Sequence, residues 1–129
     1  MSTAFWCVFV AALLPYLGTG SAKGGGRMPS PANANPREWL EQLTGWQKRS
    51  HWYQLNSFEA FPAFAAAVLI ATYVQAPQLH VDRLSMAFIG FRLAHFVCYI
   101  ADWATLRSAV WFGGMGCVIW LFLLAAGVA

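Results

Sequence analysis

Eight residues of this chain combine charged or reactive side chains with an apolar setting: Arg49, Asn56, Glu59, Arg92, His95, Tyr99, Arg107 and Ser108. They lie inside or at the mouths of oily stretches, in a chain of which only 10% of residues are charged. A charged side chain at the centre of a bilayer costs about 2.5–3.5 kcal/mol on insertion scales, so such residues pair with one another or mark a functional site. The cations Arg49, Arg92 and Arg107 outnumber the anions Glu59 and Asp102. That surplus of positive charge points to an anionic ligand.

The elements that must position these residues are membrane helices. Of 129 residues, 59% are apolar and 16% aromatic, far from the balance of a water-soluble domain. Residues 109–129 contain no charged or strongly polar side chain. At about 1.5 Å per residue they can cross a hydrocarbon core of about 30 Å. Three further spans are expected at 2–20, 53–76 and 84–104, with a loop at 21–52. The expected architecture is therefore all-α, an integral membrane four-helix bundle forming one transmembrane domain over residues 1–129. The first stretch lacks the basic start and the small-residue cleavage pattern of a signal peptide and reads as a retained helix. Cys7, Cys98 and Cys117 all fall within apolar runs. An odd number of buried thiols argues for packing residues and against a disulfide framework.

Lys23, Arg27, Arg37, Lys48 and Arg49 precede the second span and Arg107 joins the third to the fourth, against Arg83 alone on the opposite side. The positive-inside rule then makes the 21–52 loop cytoplasmic and puts both termini outside. The short, compact chain points to a bacterial inner membrane. Residues 23–35 are rich in Gly, Pro, Ser and Asn and read as a flexible loop. Asn35-Pro36-Arg37-Glu38 reads as a helix start, with Asn as cap, Pro at the first position and Glu at the third. Trp39, Leu40, Leu43 and Trp46 recur at helical spacing, so this helix is expected to run along the interface into the second span. Trp46, Trp52 and Tyr53 would then sit at headgroup depth.

Along the second span Arg49, Asn56 and Glu59 fall within an arc of roughly 80° at about 100° per residue. Arg92, His95, Tyr99 and Asp102 form a similar stripe on the third, and two polar stripes in lipid should face each other. Eight Leu, Ile, Phe and Val residues between Leu84 and Ile100 contribute about −2.5 to −5 kcal/mol to insertion, which one central arginine nearly cancels. Partners must settle the balance, so Arg92 is expected to pair with Glu59 or with a bound anion. The structural alternative makes Arg92 and Glu59 an ion pair, His95 a packing residue and Asn56 an interhelical hydrogen-bond donor.

At these residues the chain resembles the membrane-associated proteins in eicosanoid and glutathione metabolism, the family of microsomal glutathione transferases, leukotriene C4 synthase and prostaglandin E synthase. The resemblance extends from about Pro36 to the C-terminus. It rests on Arg49 followed by Asn56-Ser57-Phe58-Glu59 and Pro62, on Arg92, His95 and Tyr99 in an Arg-x-x-His-x-x-x-Tyr pattern, and on Arg107-Ser108 opening the fourth helix. It implies a homotrimer with sites between subunits, open to the cytoplasm and the bilayer. It also implies glutathione as co-substrate, its carboxylates, amine and thiol held by Arg49, Asn56, Glu59, Arg92, His95 and Tyr99. Arg107 looks like the family's thiolate-stabilising arginine, with Ser108 as a hydrogen-bond donor. A cation against the sulfur favours the thiolate, which would attack a lipophilic electrophile or a lipid hydroperoxide arriving through the membrane. The chain departs from the family pattern at Trp52 and Gln54, where glutathione-using members carry an arginine and a histidine, and at Lys48, where an acidic residue is usual.

Other classes fit less well. A small multidrug transporter would carry its carboxylate in the first helix, which here has no charge. A cytochrome would need paired histidines, whereas His51 and His80 belong to opposite ends and His95 stands alone. Neither a metal cluster nor a nucleic-acid surface can be read from the spacing of Cys, His and basic residues. The remaining rival is a non-catalytic member that keeps the bundle and has lost efficient thiol chemistry.

Overall fold

An apolar run in lipid has no water to satisfy its N–H and C=O groups, so it closes those bonds within itself as a helix. The computed structural model describes residues 1–26 and 34–129, with Arg27 among the residues outside that description. In chain order it contains α1 (Thr3–Gly26), α2 (Pro36–Glu41), α3 (Gly45–Tyr73), α4 (Gln78–Ala101) and α5 (Ala104–Ala125). All but α2 are long and apolar enough to cross a membrane. The protein is an all-α, multi-pass membrane bundle.

α1 runs past the end of its oily window and α3, α4 and α5 begin before theirs, whereas α3, α4 and α5 end at Tyr73, Ala101 and Ala125, three to four residues short of the expected limits. Lys23 to Gly26 continue α1 where a loop was expected. The start of α3 at Gly45 precedes the expected boundary at 53, and α4 begins at Gln78, which takes His80 out of the expected outer loop and into a helical first turn. Hydropathy marks only the part of a helix that sits in oil, whereas backbone bonding continues into the polar ends.

The short helix does not run on into the second span. It stops at Glu41, and α3 restarts at Gly45 in a left-handed conformation (φ 61°) that suits glycine. Asn35 stands at the cap position of α2, but its side chain donates to the Glu38 carboxylate at 2.7 Å and makes no backbone cap. Lys48 Nζ donates to the Glu41 carbonyl, tying the end of α2 to α3.

Within the bundle α1 lies along α3, α5 lies along α4, and α3 and α4 pack on each other. The core divides into two halves. Away from α2 it is apolar: Cys7, Phe64, Val68, Val81, Phe88, Cys117 and Leu121 pack together, with Phe64 and Phe88 stacked at 4.0 Å and 9°. At that end the Asp82 carboxylate accepts from the Ala4 backbone N–H and from Gln78 Nε2, each at 2.8 Å. All three cysteines are buried free thiols. Lipid supplies no hydrophobic force between helices, so close backbone approach at small residues does that work. Gly18 illustrates it: a Cβ there would lie 2.5 Å from the Ser50 carbonyl oxygen. Toward α2 the core turns polar.

Candidate functional site

Arg92 is the centre of the polar half and is only 3% exposed. Its Nη1 donates to Asn56 Oδ1 at 2.7 Å and its Nη2 to Ser57 Oγ at 2.9 Å. Nη1 also lies 3.4 Å from His95 Nδ1, one helical turn along α4. Tyr53 completes the enclosure. Its hydroxyl donates to the Arg92 carbonyl at 3.1 Å, and its ring lies 5.3 Å from the guanidinium carbon.

This arrangement corrects two expectations. Arg92 does not pair with Glu59, which is exposed on α3; its partners are neutral. Asn56 and Ser57 flank the direction from which Arg92 approaches, and Glu59 is turned about 60° from Asn56 the other way. Tyr53 is not a belt residue either: it is 0% exposed, wedged between α3 and α4 against Phe96 and Tyr99. Trp46 and Trp52 do face outward.

The two polar stripes meet at a second point. Arg49 Nε donates to the Tyr99 carbonyl at 2.7 Å and Nη2 to the Ile100 carbonyl at 3.2 Å. These carbonyls belong to the last turn of α4, where helical N–H donors run out. Arg49 therefore caps a helix with the donors expected to meet a ligand. Asp102 leaves the stripe because α4 ends before it: it adopts a left-handed C-cap conformation (φ 60°) and is exposed.

Beside this network a cavity of about 190 Å³ opens between α3, α4 and α5, walled by Asn56, His95, Tyr99, Arg107, Ser108, Trp111 and Phe112. The Arg107 guanidinium carbon stands 5.0 Å over the Tyr99 ring, and that ring stacks on His95 at 4.9 Å and 21°. Ser108 Oγ donates to the Ala104 carbonyl at 3.3 Å, so its hydroxyl hydrogen points back along α5. His95 Nε2 is buried and has no hydrogen-bond partner among the described residues. The fold thus brings Asn56, His95, Tyr99, Arg107 and Ser108 to one wall, while Arg49, Glu59 and Arg92 stand off it.

Sequence reasoning missed Tyr53, Ser57, Trp111 and Phe112. Trp111 and Phe112 follow Arg107 and Ser108 by four residues, the spacing that shares a helix face, so that signal was present. Ser57 lay inside the Asn-x-x-Glu motif. Nothing local marked Tyr53 as buried.

A second, larger cavity of about 540 Å³ lies between α1, α2 and α3, with Tyr16, Arg37, Lys48, Trp52, Gln54 and Phe58 on its wall. Lys48, Trp52 and Gln54 are the three departures from the family pattern. All three line this cavity and none lines the smaller one.

Four membrane-length helices whose core turns polar toward one end define the class: a multi-pass integral membrane protein with a polar site inside its bundle. The chain belongs to the MAPEG family, whose model matches residues 3–127. That family includes glutathione transferase- and peroxidase-like members as well as non-catalytic ones. No curated protein and no solved structure matches the chain.

Proposed function

We propose that the protein is a membrane-embedded, glutathione-dependent transferase or peroxidase-like enzyme, which activates a thiol for attack on a lipophilic electrophile. The observation that carries this reading is the cavity that sets the Arg107 guanidinium beside Asn56, His95 and Tyr99, with no carboxylate on its wall among the described residues. A cation against a sulfur favours its thiolate. The thiol proton leaves through the open mouth to water, and the sulfur forms a bond to the electrophilic carbon as the leaving group departs with its electron pair. Ser108 would join only by turning its hydroxyl away from the Ala104 carbonyl.

Assembly as a homotrimer belongs to the proposal. Phe112 is 68% exposed at the cavity rim and Glu59 is exposed on α3, so a neighbouring copy could close the open wall. Lys23, Arg37, Lys48, Arg49 and Arg107 cluster toward this end of the bundle, which favours a cytoplasmic site with both termini outside.

Arg107→Ala tests the reading. Conjugation of glutathione to a chromogenic electrophile should fall about 100-fold, the usual loss when a preorganised stabiliser of developing charge is removed. Native mass spectrometry of the same variant should show the assembly unchanged. Undiminished turnover would take Arg107 out of the mechanism.

A second reading, a non-catalytic member, is favoured by the commitment of Arg49 to the α4 carbonyls and by Lys48, Trp52 and Gln54. Calorimetry separates the two: no heat of binding at millimolar glutathione would make it the better account.

A further inference from the structure

Arg92 can only donate hydrogen bonds, because a guanidinium carries five N–H groups and no acceptor. This fixes the orientation of everything it touches. Asn56 meets it through Oδ1 at 2.7 Å, so the amide Nδ2 hydrogens of Asn56 must point elsewhere. His95 meets it through Nδ1 at 3.4 Å, so Nδ1 must be the bare, accepting nitrogen and the ring proton must sit on Nε2. That Nε2 is buried with no partner among the described residues, a state that costs stability. Both residues line the cavity and Arg92 does not.

We propose that Arg92 is a positioning residue that sets the hydrogen-bond polarity of the cavity from behind its wall. By claiming Oδ1 of Asn56 and Nδ1 of His95 it leaves the Asn56 amide with N–H groups to offer the cavity, alongside the guanidinium of Arg107, while the His95 Nε2–H stays buried beneath the wall and its only acceptor nitrogen is already engaged. The cavity is thereby selective for the acid-bearing or thiolate part of its guest and turns away an ammonium group. An amine brings only donors and a positive charge to this wall, which leaves N–H groups facing N–H groups beside two arginines. A carboxylate or thiolate brings acceptors and the opposite charge. The inference rests on the glutathione reading only for the identity of the guest, and it assigns the amine of glutathione to a position outside this cavity.

The test has two arms. Protein labelled with 15N-histidine, reconstituted without ligand, should show His95 as the Nε2–H tautomer, its signal identified by its loss in His95→Gln. In Arg92→Met the lock is gone, and the two tautomers should mix. If Arg92→Met fails to fold, Arg92→Lys keeps one donor direction and should shift the tautomer ratio in the same sense. An Nδ1–H tautomer in the wild type overturns the proposal, as does a tautomer indifferent to both variants.

The second arm compares glutathione, N-acetylglutathione and the glutathione diester by calorimetry. Blocking the carboxylates should weaken binding by about tenfold or more, the scale of hydrogen bonds to charged groups, whereas acetylating the amine should change it by less than about threefold. Arg92→Met should narrow that gap. An amine-blocked ligand that binds as poorly as the diester would overturn the proposal. Wild-type protein that binds none of the three but keeps the Nε2–H tautomer would end the glutathione reading while leaving the polarity assignment intact.

Discussion

The Arg107 guanidinium carbon lies 5.0 Å over the ring of Tyr99, while the carbonyl of the same tyrosine accepts a 2.7 Å hydrogen bond from Arg49. One residue at the end of α4 therefore organises two arginines: its ring holds the one at the cavity, and its backbone occupies the one from α3. The aromatic face should matter more than the hydroxyl. On the proposed glutathione reading, Tyr99→Phe is expected to hold kcat/KM for conjugation within about twofold, whereas Tyr99→Leu forfeits a cation–π contact of about 0.5–2 kcal/mol and should lower it by up to about 30-fold. Equal activities in the two variants would mean that the stacking does not position Arg107.

Arg49 should report on stability. Its two hydrogen bonds cap the last turn of α4 with a charged donor, and such bonds are worth about 1.5–3 kcal/mol. Arg49→Ala is expected to lower the Tm of the detergent-solubilised protein, and Arg49→Lys to recover part of the loss. An unchanged Tm in Arg49→Ala would show that water replaces the cap at no cost.

At the opposite end, Asp82 bridges α4 to the first turn of α1 through the Ala4 N–H. Asp82→Ala leaves that donor without its acceptor and should destabilise by about 1 kcal/mol, the usual scale of a lost helix cap. Asp82→Asn retains an oxygen acceptor and should cost less. Hydrogen exchange at the Ala4 amide gives the local readout: faster exchange is expected in the alanine variant, and equal protection in all three proteins would refute the cap.

Gly18 and Gly20 form a matched pair on α1. A Cβ at Gly18 would meet the Ser50 carbonyl at 2.5 Å, whereas one at Gly20 meets nothing within 4 Å. Gly18→Ala should separate α1 from α3 at a cost of about 1–3 kcal/mol. Gly20→Ala should be neutral or stabilise by about 0.5–1 kcal/mol, since alanine is the better helix former. Thermal unfolding of the two variants side by side checks this, and a Gly18→Ala protein as stable as Gly20→Ala would show that the helices part without strain.

The four spans, the membrane setting and the family were legible from residue order, because hydropathy over about 20 residues and a period of 3.6 are local properties of a helix in lipid. The pairing of a polar face on α3 with one on α4 followed from the same logic, and Asn56, His95, Tyr99, Arg107 and Ser108 do meet. Helix ends were less legible. The windows at 53 and 84 began inside α3 and α4, since polar residues that extend a helix leave no mark on a hydropathy scale.

Sequence by itself thus determined that a few ionisable groups would be carried into a bundle and on which helical faces. Tertiary structure alone decided their partners. Arg92 chose Asn56 and Ser57 over Glu59, Arg49 was drawn to the carbonyls that end α4, and Tyr53 was sealed between helices. Each outcome depends on how far one helix is rotated and shifted against the next, and differences of 60° or one turn there decide which side chain reaches which. A local period says where a side chain stands on its own helix and carries no information about that relative placement.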